Sequence, residues 1–222
     1  MGRAKRMAAK NPCDGVALPQ AGEKVKRTIL KPEQVLSIAN RLEEPYATFV
    51  LFLAITGLRV GEACGVKWSD IEGPELHVRR RVYEGKVGEV KTKSSLRILP
   101  LPQELIDKMR SLEPGEYVFH TRTGTPLNPK NAAHRHLRPA IRKLGIHLGG
   151  WHDFRHTFTT QSLKEYPLKA VSKALGHANT KITTDVYHHI DTEGVGAPLA
   201  GMSRKLLASV SKSPESTGRE GT

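Results

Sequence analysis

The distribution of apolar residues predicts a chain that is mostly helical. The stretch from Glu44 to Thr56 is apolar on nearly every side, which is typical of a buried central helix, and Gly57 is a residue at which such a helix can end. A preceding helix is predicted to begin at Pro32, because proline fits the first helical turn, and to run to about Leu42. Further helices are predicted at about 59–66, 102–112, 129–144, 153–165, 167–175, 180–189 and 199–210.

One central segment has the residue types of β-strands instead. Three β-prone runs, Leu76–Tyr83, Val87–Thr92 and Arg97–Leu101, are separated by Glu-Gly and Lys-Ser-Ser clusters that favour turns. They are expected to form a small three-stranded antiparallel sheet. The predicted fold class is therefore α+β, mainly helical.

Composition divides the chain into three segments. Residues 1–30 contain a short helical piece, Ala4–Lys10, followed by a linker marked by proline and glycine, and residues 31–192 make up the globular part. Residues 193–222 hold an amphipathic stretch, Leu199–Val210, and a polar tail that is expected to be disordered.

Several broad classes of protein are disfavoured by composition. Hydrophobic residues make up 38% of the chain, and the apolar run Phe49–Ile55 is far too short to cross a bilayer. The basic N-terminus is not followed by the apolar core of a signal peptide, so a cytoplasmic, nucleoid-associated protein is the default expectation. Cys13 and Cys64 are the two cysteines, without CxxC spacing, which indicates neither a disulfide framework nor a zinc module.

The charge balance favours a polyanionic partner. The chain has 35 Lys and Arg against 22 Asp and Glu, a net charge of +13. Lysine and arginine gain affinity for nucleic acid by releasing the counterions condensed on its phosphates. Residues 1–31 alone have eight basic and two acidic residues, a net +6, and are expected to lie along DNA. A merely basic protein without a nucleic-acid partner remains the alternative.

The first candidate motif is "TGLRVGE", residues 56–62, which joins the buried helix to the next one. Arg59 lies there between an apolar helix and a glycine-rich turn, where an arginine is costly unless it is paired or used. The alternative is a surface arginine that forms an ordinary ion pair with Glu62.

The second candidate motif is "KTKSSLRILPL", residues 91–101. A lysine on a hairpin turn, such as Lys91, can reach into a neighbouring groove as a charged donor or as an acid. The alternative is a solvated hairpin tip, a position that lysine also favours.

The third candidate motif is "WHDFRH", residues 151–156. His152 and Arg155 are three residues apart, so on a helix they face the same way and can hold one phosphate between them. A competing reading takes His152 and His156 as metal ligands, but the chain lacks the glutamate that follows the first histidine in zinc proteases, and Asp153 is misplaced for that role.

The fourth candidate motif is "LGHANTKITTDVY", residues 175–187. Gly176 is predicted to end one helix, His177 to lie in the turn, and Tyr187 to lie on the helix that follows. Taken alone, Tyr187 is better explained as a half-buried packing residue.

The four motifs, in this order and spacing, resemble those of the tyrosine recombinases, also called phage-type integrases. The similarity runs from about Lys31 to Ile190 and implies that residues 31–192 are a catalytic domain with the fold of that family. It also implies the functional residues. Six are catalytic: Arg59, Lys91, His152, Arg155, His177 and Tyr187. Glu62 supports the first arginine, and Lys93 and Arg97 are expected to contact DNA.

The resemblance assigns a role to each catalytic residue. Two arginines, Arg59 and Arg155, grip the phosphate together with His177, and Tyr187 is the nucleophile. His152 is the general acid/base beside the tyrosine. Lys91 protonates the leaving 5′ oxygen, although Lys93, two residues further on, is not excluded from that role.

The implied reaction is site-specific recombination of double-stranded DNA through a 3′-phosphotyrosyl intermediate, without metal, ATP or other cofactor. A homotetramer on DNA, a monomer in free solution and accessory DNA-bending proteins are the implied partners. Integration or excision of a mobile element is the expected outcome. Resolution of chromosome or plasmid dimers, a DNA-binding remnant without activity of its own, and more remotely a metal-dependent nuclease are the alternatives.

The sequence departs from the family pattern at its N-terminus. Family members have a helical core-binding domain before the catalytic one, and Met1–Lys10 resembles only its last turns, with 11–27 as the linker. DNA binding is therefore expected to be weak and strongly sensitive to salt. The amphipathic stretch Leu199–Val210 is expected either to dock onto a neighbouring protomer or to fold back on its own domain.

Overall fold

A computed structural model describes residues 28–89, 96–176 and 193–207. Its helices are α1 (Pro32–Asn40), α2 (Tyr46–Thr56), α3 (Val60–Cys64), α4 (Gln103–Arg110), α5 (Pro129–Ala132), α6 (Arg138–Lys143), α7 (His152–Ser162), α8 (Leu168–Leu175) and α9 (Glu193–Leu207). Its strands are β1 (Ile71–Glu72), β2 (Glu75–Val78), β3 (Arg80–Tyr83), β4 (Lys86–Glu89) and β5 (Arg97–Pro100).

Helix α2 is the centre of the core. Residues 48–56 are all buried, and α2 packs against α1, α7 and α9. A helix surrounded on every side by other elements needs apolar residues all round, as its sequence predicts. It ends at Gly57, whose φ of 62° lies in the left-handed region, and whose N–H caps the carbonyl of Leu53.

The strands pair differently from the prediction. A three-stranded antiparallel sheet is present, but its order is β1-β2-β5, while β3 and β4 form a separate two-stranded ribbon. The predicted run 76–83 is interrupted at Arg79, between β2 and β3. All residues of β4 are exposed, whereas Leu76 and Leu99, on β2 and β5, are fully buried. Burial of apolar surface therefore favours pairing β5 with β2 over the core and leaves β4 outside.

The predicted helix 129–144 is present as three consecutive segments. A π-helical turn, Ala133–Leu137, separates α5 from α6, and the N–H of Arg138 donates to the carbonyl of Ala133 five residues earlier. Pro139 has no N–H with which to continue the α-helical pattern, and this explains the local widening. On the same turn, His136 stacks on Tyr46 of α2, with the ring centroids 3.6 Å apart.

The last described helix, α9, folds back on its own domain. It packs against α8, α2, α1 and α7, and the side chains of Leu199, Met202 and Leu206 are buried there. Lys205 forms an ion pair with Glu165. The structure thus has the segment folded back on its own domain, one of the two expectations for it. Docking onto a neighbouring protomer stays a prediction.

Within the described ranges, none of the helices combines the length and the apolar character that a membrane span requires.

Candidate active site

The turn between α2 and α3 holds the first predicted site residue, Arg59. Its backbone N–H donates to Oε2 of Glu62 at 3.2 Å, which caps the first turn of α3. Its guanidinium Nη1 donates to Oε1 of the same carboxylate at 3.0 Å, while 44% of the side chain remains exposed. Arg59 is thus both anchored from within the protein and accessible to a ligand.

Glu62 is buried beneath Arg59 and is shared by two arginines. Nη2 of Arg97 donates to Oε2 of Glu62 at 2.9 Å, so the carboxylate binds Arg97 and the backbone of Arg59 through one oxygen and the Arg59 guanidinium through the other. Burial by itself would raise the pKa of Glu62, but the ion pairs and hydrogen bonds with Arg97 and Arg59 outweigh it and hold this pKa below its ordinary value. Glu62 is therefore ionised at neutral pH.

Arg155, on α7, lies close to Arg59, Arg97 and Glu62. Its Nη1 donates to the carbonyl of Gly57 at 2.8 Å, and its Nη2 donates to the carbonyl of Leu175 at 2.9 Å. These bonds connect the ends of α2 and α8 to the helix that carries Arg155. They use two of the five N–H donors of a guanidinium, which leaves geometric capacity to bind an anion as well.

The electrostatics of this cluster favour an anionic ligand. Burial, followed by repulsion from Arg59 and Arg97, lowers the pKa of Arg155 to about 10, and the attraction of Glu62 opposes this shift only in part. Arg155 remains protonated at neutral pH, so three guanidiniums face a single carboxylate, 3 − 1 = +2. A bound anion would relieve the repulsion between the arginines.

The predicted acid/base residue, His152, is exposed at the first position of α7. Its ring meets that of His156 edge to face, with the centroids 4.7 Å apart. The loop before it is held by Asp153, whose buried carboxylate accepts the N–H of Gly149 at 2.6 Å. In the described part of the chain, no three His, Cys, Asp or Glu side chains are grouped as a metal site would need.

Four predicted site residues lie outside the described residues: Lys91, Lys93, His177 and Tyr187. The second described range ends with α8 and its capping residue Gly176, which directly precedes His177 and has a left-handed φ of 63°. Their predicted roles stay predictions.

Arg97, predicted from the sequence to contact DNA, is located in the interior. Only 8% of its side chain is exposed, and besides Glu62 it binds the carbonyl of Ala174 through Nε at 3.1 Å. The DNA contact of Arg97 stays a prediction, and the buried position of Arg97 differs strongly from the exposed position of Arg59.

The helical segment 129–143 carries a basic surface that none of the four sequence motifs includes. The segment has five Lys and Arg, two His and no acidic residue, a composition that could have revealed it. Its side chains line a groove together with Trp151, the residue before His152. Nε1 of Trp151 donates to the carbonyl of Pro129 at 2.9 Å, which ties the start of this segment to the start of α7.

Comparison with known proteins identifies the family. Residues 28–193 match the model of the phage integrase family. The chain belongs to this family. A relative named tyrosine recombinase XerC-like, from Caldanaerobacter subterraneus subsp. tengcongensis, is 30% identical over 222 residues, an alignment that covers 82% of this chain. The chain spans 56% of the length of that relative.

Solved structures of two integrases share the fold. The Tn1549 transposon integrase in complex with circular intermediate DNA superposes with a TM-score of 0.60 at 20% identity, covering 82% of this chain and 68% of that one. A λ integrase tetramer bound to a Holliday junction gives a TM-score of 0.57 at 22% identity, covering 76% and 52%. The predicted tyrosine-recombinase fold, α+β and mainly helical, is confirmed.

Proposed function

We propose that this chain cuts and rejoins double-stranded DNA at specific sites through a covalent 3′-phosphotyrosyl intermediate. The observation that carries the proposal is the cluster of three arginines around one buried carboxylate, whose net charge of +2 includes the accessible guanidinium of Arg59. A phosphodiester in the transition state for phosphoryl transfer carries negative charge on its non-bridging oxygens. Fixed guanidiniums stabilise that charge without having to reorganise.

In the proposed mechanism, two arginines bind the scissile phosphate. Arg59 is held by Glu62, and Arg155 is held by the carbonyls of Gly57 and Leu175, so neither has to be ordered during the reaction. A guanidinium can donate two parallel hydrogen bonds to a phosphate. His177 is the proposed third donor to the same group.

The chemical step is an exchange of one phosphodiester bond for another. The phenolic oxygen of Tyr187 attacks phosphorus, a tyrosyl O–P bond forms, and the bond from phosphorus to the 5′ oxygen breaks. A free phenol has a pKa near 10, so His152 accepts its proton and the positive field of the arginines favours the phenolate. Lys91 gives a proton to the departing 5′ oxygen, which balances the step.

The covalent intermediate retains the energy of the broken phosphodiester bond, so rejoining needs no ATP. A 5′ hydroxyl from another strand reverses the step, and cleavage thereby becomes strand exchange. Exchange between two duplexes needs four such sites, and we propose a homotetramer on DNA formed from monomers in solution, by analogy with the λ integrase tetramer. Accessory DNA-bending proteins and a nucleoid location belong to the same proposal.

The groove lined by segment 129–143 is the proposed path of the DNA next to the active site. Lys130, His134, Arg135 and Arg138 are exposed there, on a surface without acidic neighbours from the same segment. Trp151 forms one wall and precedes His152, so a duplex in this groove would have its backbone close to the catalytic helix.

The proposal is limited to the chemistry that integrases and XerC-type recombinases share. The comparisons include proteins of both names, so integration or excision and dimer resolution remain alternative uses of the same reaction. A DNA-binding remnant that does not recombine unaided is the alternative from a different class.

The test is covalent capture of plasmid DNA. Protein is mixed with negatively supercoiled plasmid in excess chelator, quenched with detergent and examined for DNA attached to protein. We expect capture by the wild type, none by Tyr187→Phe, and unchanged capture by Tyr83→Phe, a matched control because Tyr83 is 63% exposed on β3.

Each result of this experiment leads to a different conclusion. Capture that persists in Tyr187→Phe would rule out Tyr187 as the nucleophile, and capture that requires added divalent metal would overturn the metal-free mechanism. If the wild type captures nothing, a core-binding domain is fused at the N-terminus. A fusion that still fails identifies a remnant without catalytic activity.

A further inference from the structure

Arg97 occupies a junction between three elements of the site. It is the first residue of β5, which follows directly on the segment that carries Lys91 and Lys93. Its guanidinium bonds to Glu62 on α3 and to the carbonyl of Ala174 near the end of α8. It therefore contacts the support of Arg59 and the helix that leads to His177.

The guanidinium fits a position that another cation would fill poorly. Nε points to the carbonyl of Ala174 at 3.1 Å and Nη2 to the carboxylate of Glu62 at 2.9 Å, so two different acceptors are bound by one rigid planar group. A lysine ammonium is a flexible point charge that does not hold two acceptors in fixed directions. The Ala174 bond also satisfies a carbonyl in the last turn of α8.

Gly176 lets this arginine approach closely because it has no Cβ. A Cβ at Gly176 would lie 3.0 Å from both Cδ and Nη1 of Arg97, closer than a side chain normally allows. Arg97 thus packs against the bare Cα of the residue immediately before His177. The contact is independent of the hydrogen bonds and connects the same arginine to the same end of α8.

The two oxygens of the Glu62 carboxylate connect Arg97 to Arg59. Arg97 binds Oε2, and Oε1 is the oxygen that receives the guanidinium of Arg59. Because both oxygens belong to one planar carboxylate, the bond to Arg97, together with the Arg59 N–H on the same Oε2, restricts the direction in which Oε1 points. Loss of Arg97 would leave Oε2 with the Arg59 N–H alone, and the Glu62 carboxylate would hold the Arg59 guanidinium less firmly.

We propose that Arg97 is a positioning residue, which sets Arg59 through Glu62 and holds the end of α8, the helix that precedes His177 in the sequence. It acts on the reaction without touching DNA, in place of the DNA contact expected from the sequence. The inference rests on the proposed function, since positioning matters only if the arginines grip a phosphate.

The test compares Arg97→Ala and Arg97→Lys with the wild type in single-turnover capture of supercoiled plasmid at increasing protein concentration. We expect the capture rate at saturating protein to fall roughly 100-fold in Arg97→Ala, because a small misplacement of catalytic groups has effects of that size. The half-saturating concentration and its salt dependence should change less than about threefold, and Arg97→Lys should recover part of the rate. Arg110→Ala, which removes an exposed charge on α4, is the control and should leave the saturating rate unchanged.

A double-mutant cycle with Glu62 separates a shared unit from independent effects. If Arg97 acts through Glu62, the double variant Arg97→Ala/Glu62→Gln should be about as slow as the slower single variant, because residues that act as one unit are strongly non-additive. Losses that multiply would overturn the proposal. So would a saturating rate that is unchanged while affinity and salt dependence fall, which is the signature of a phosphate contact.

A structural readout keeps the inference distinct from the proposed function. The guanidinium N–H signals of ¹⁵N-labelled Arg59 should shift in Arg97→Lys and stay in place in Arg110→Ala, with thermal unfolding as the check that each variant is folded. If neither the wild type nor its fusion to a core-binding domain captures DNA, the proposed function fails while this shift still supports the Arg97–Glu62–Arg59 connection. Arg59 signals that do not change in Arg97→Lys would overturn the proposed positioning role of Arg97.

Discussion

At the scale of single residues, the site depends on hydrogen bonds that orient its arginines. Glu62 binds Arg59 and Arg97, while Arg155 binds two backbone carbonyls. The motifs predicted that Arg59, Glu62 and Arg155 matter, because arginines beside apolar segments need a reason to be there. They could not predict the bonds of Arg155, whose partners Gly57 and Leu175 are 98 and 20 residues away in sequence.

Glu62→Gln should destabilise the protein strongly. It removes the negative partner of the buried Arg97, and loss of one member of a buried ion pair costs about 3 kcal/mol in the free energy of unfolding. The measurement is urea unfolding. Glu72→Gln is the matched control, because Glu72 pairs with Arg79 at the surface with 62% of its side chain exposed, and its loss should cost less than about 1 kcal/mol.

The stability of the same variant should depend on pH less steeply than that of the wild type on the acid side. Since the folded-state pKa of Glu62 is lowered from 4.5, its ionisation stabilises the fold above that pH, and the contribution is lost as the pH falls through the folded value. The wild type should therefore lose stability between about pH 5 and lower values more steeply than Glu62→Gln. Parallel acid profiles would contradict the placement of an ionised Glu62.

At the scale of elements, the ends of helices place the catalytic residues. Gly57 ends α2 two residues before Arg59, and Gly176 ends α8 one residue before His177. Both ends were predicted from the sequence, because glycine is the residue that adopts a left-handed φ without cost. The strand pairing was not, since the β-prone runs do not show which of them covers the core.

Gly57→Ala should be much more damaging than a matched change at another helix end. A Cβ at Gly57 would lie 2.5 Å from Cδ1 of Phe158, in addition to the strain of a φ of 62°. Gly145→Ala has the same strain, with a φ of 64°, but meets nothing within 4 Å. We expect about 1 kcal/mol for Gly145→Ala from the backbone alone and at least about 2 kcal/mol more for Gly57→Ala from overpacking. Thermal and urea unfolding measure the difference, and equal losses would contradict the packing of α2 against α7.

At the scale of the whole molecule, the amount of positive charge and its location bear on DNA binding. The net charge of +13 favours nucleic acid, and the acid-free segment 129–143 gives part of that charge a location beside α7. The chain spans only 56% of its XerC-like relative.

Neutralising the basic groove should change the salt dependence of DNA binding. Each of Lys130→Ala and Arg138→Ala should weaken binding to a generic duplex and reduce the slope of log affinity against log salt by about 1, because each removes one phosphate contact. Lys164→Ala, an exposed lysine outside the groove, is the control and should leave the slope unchanged. Binding is measured by filter retention over a range of salt. Equal slopes for all variants would move the DNA path away from this groove.

The sequence by itself determined the order and type of most elements, the buried character of α2, the glycines that end helices, and the motifs that identify the family. These features are local, because periodicity and backbone preference are written into neighbouring residues. Only the tertiary structure decided that β5 pairs with β2, that α9 folds back on the domain, and that Arg97 is buried against Glu62 and Ala174. Glu62 and Ala174 lie 35 and 77 residues from Arg97, and such contacts are chosen by how the whole core packs rather than by the segment that contains the residue.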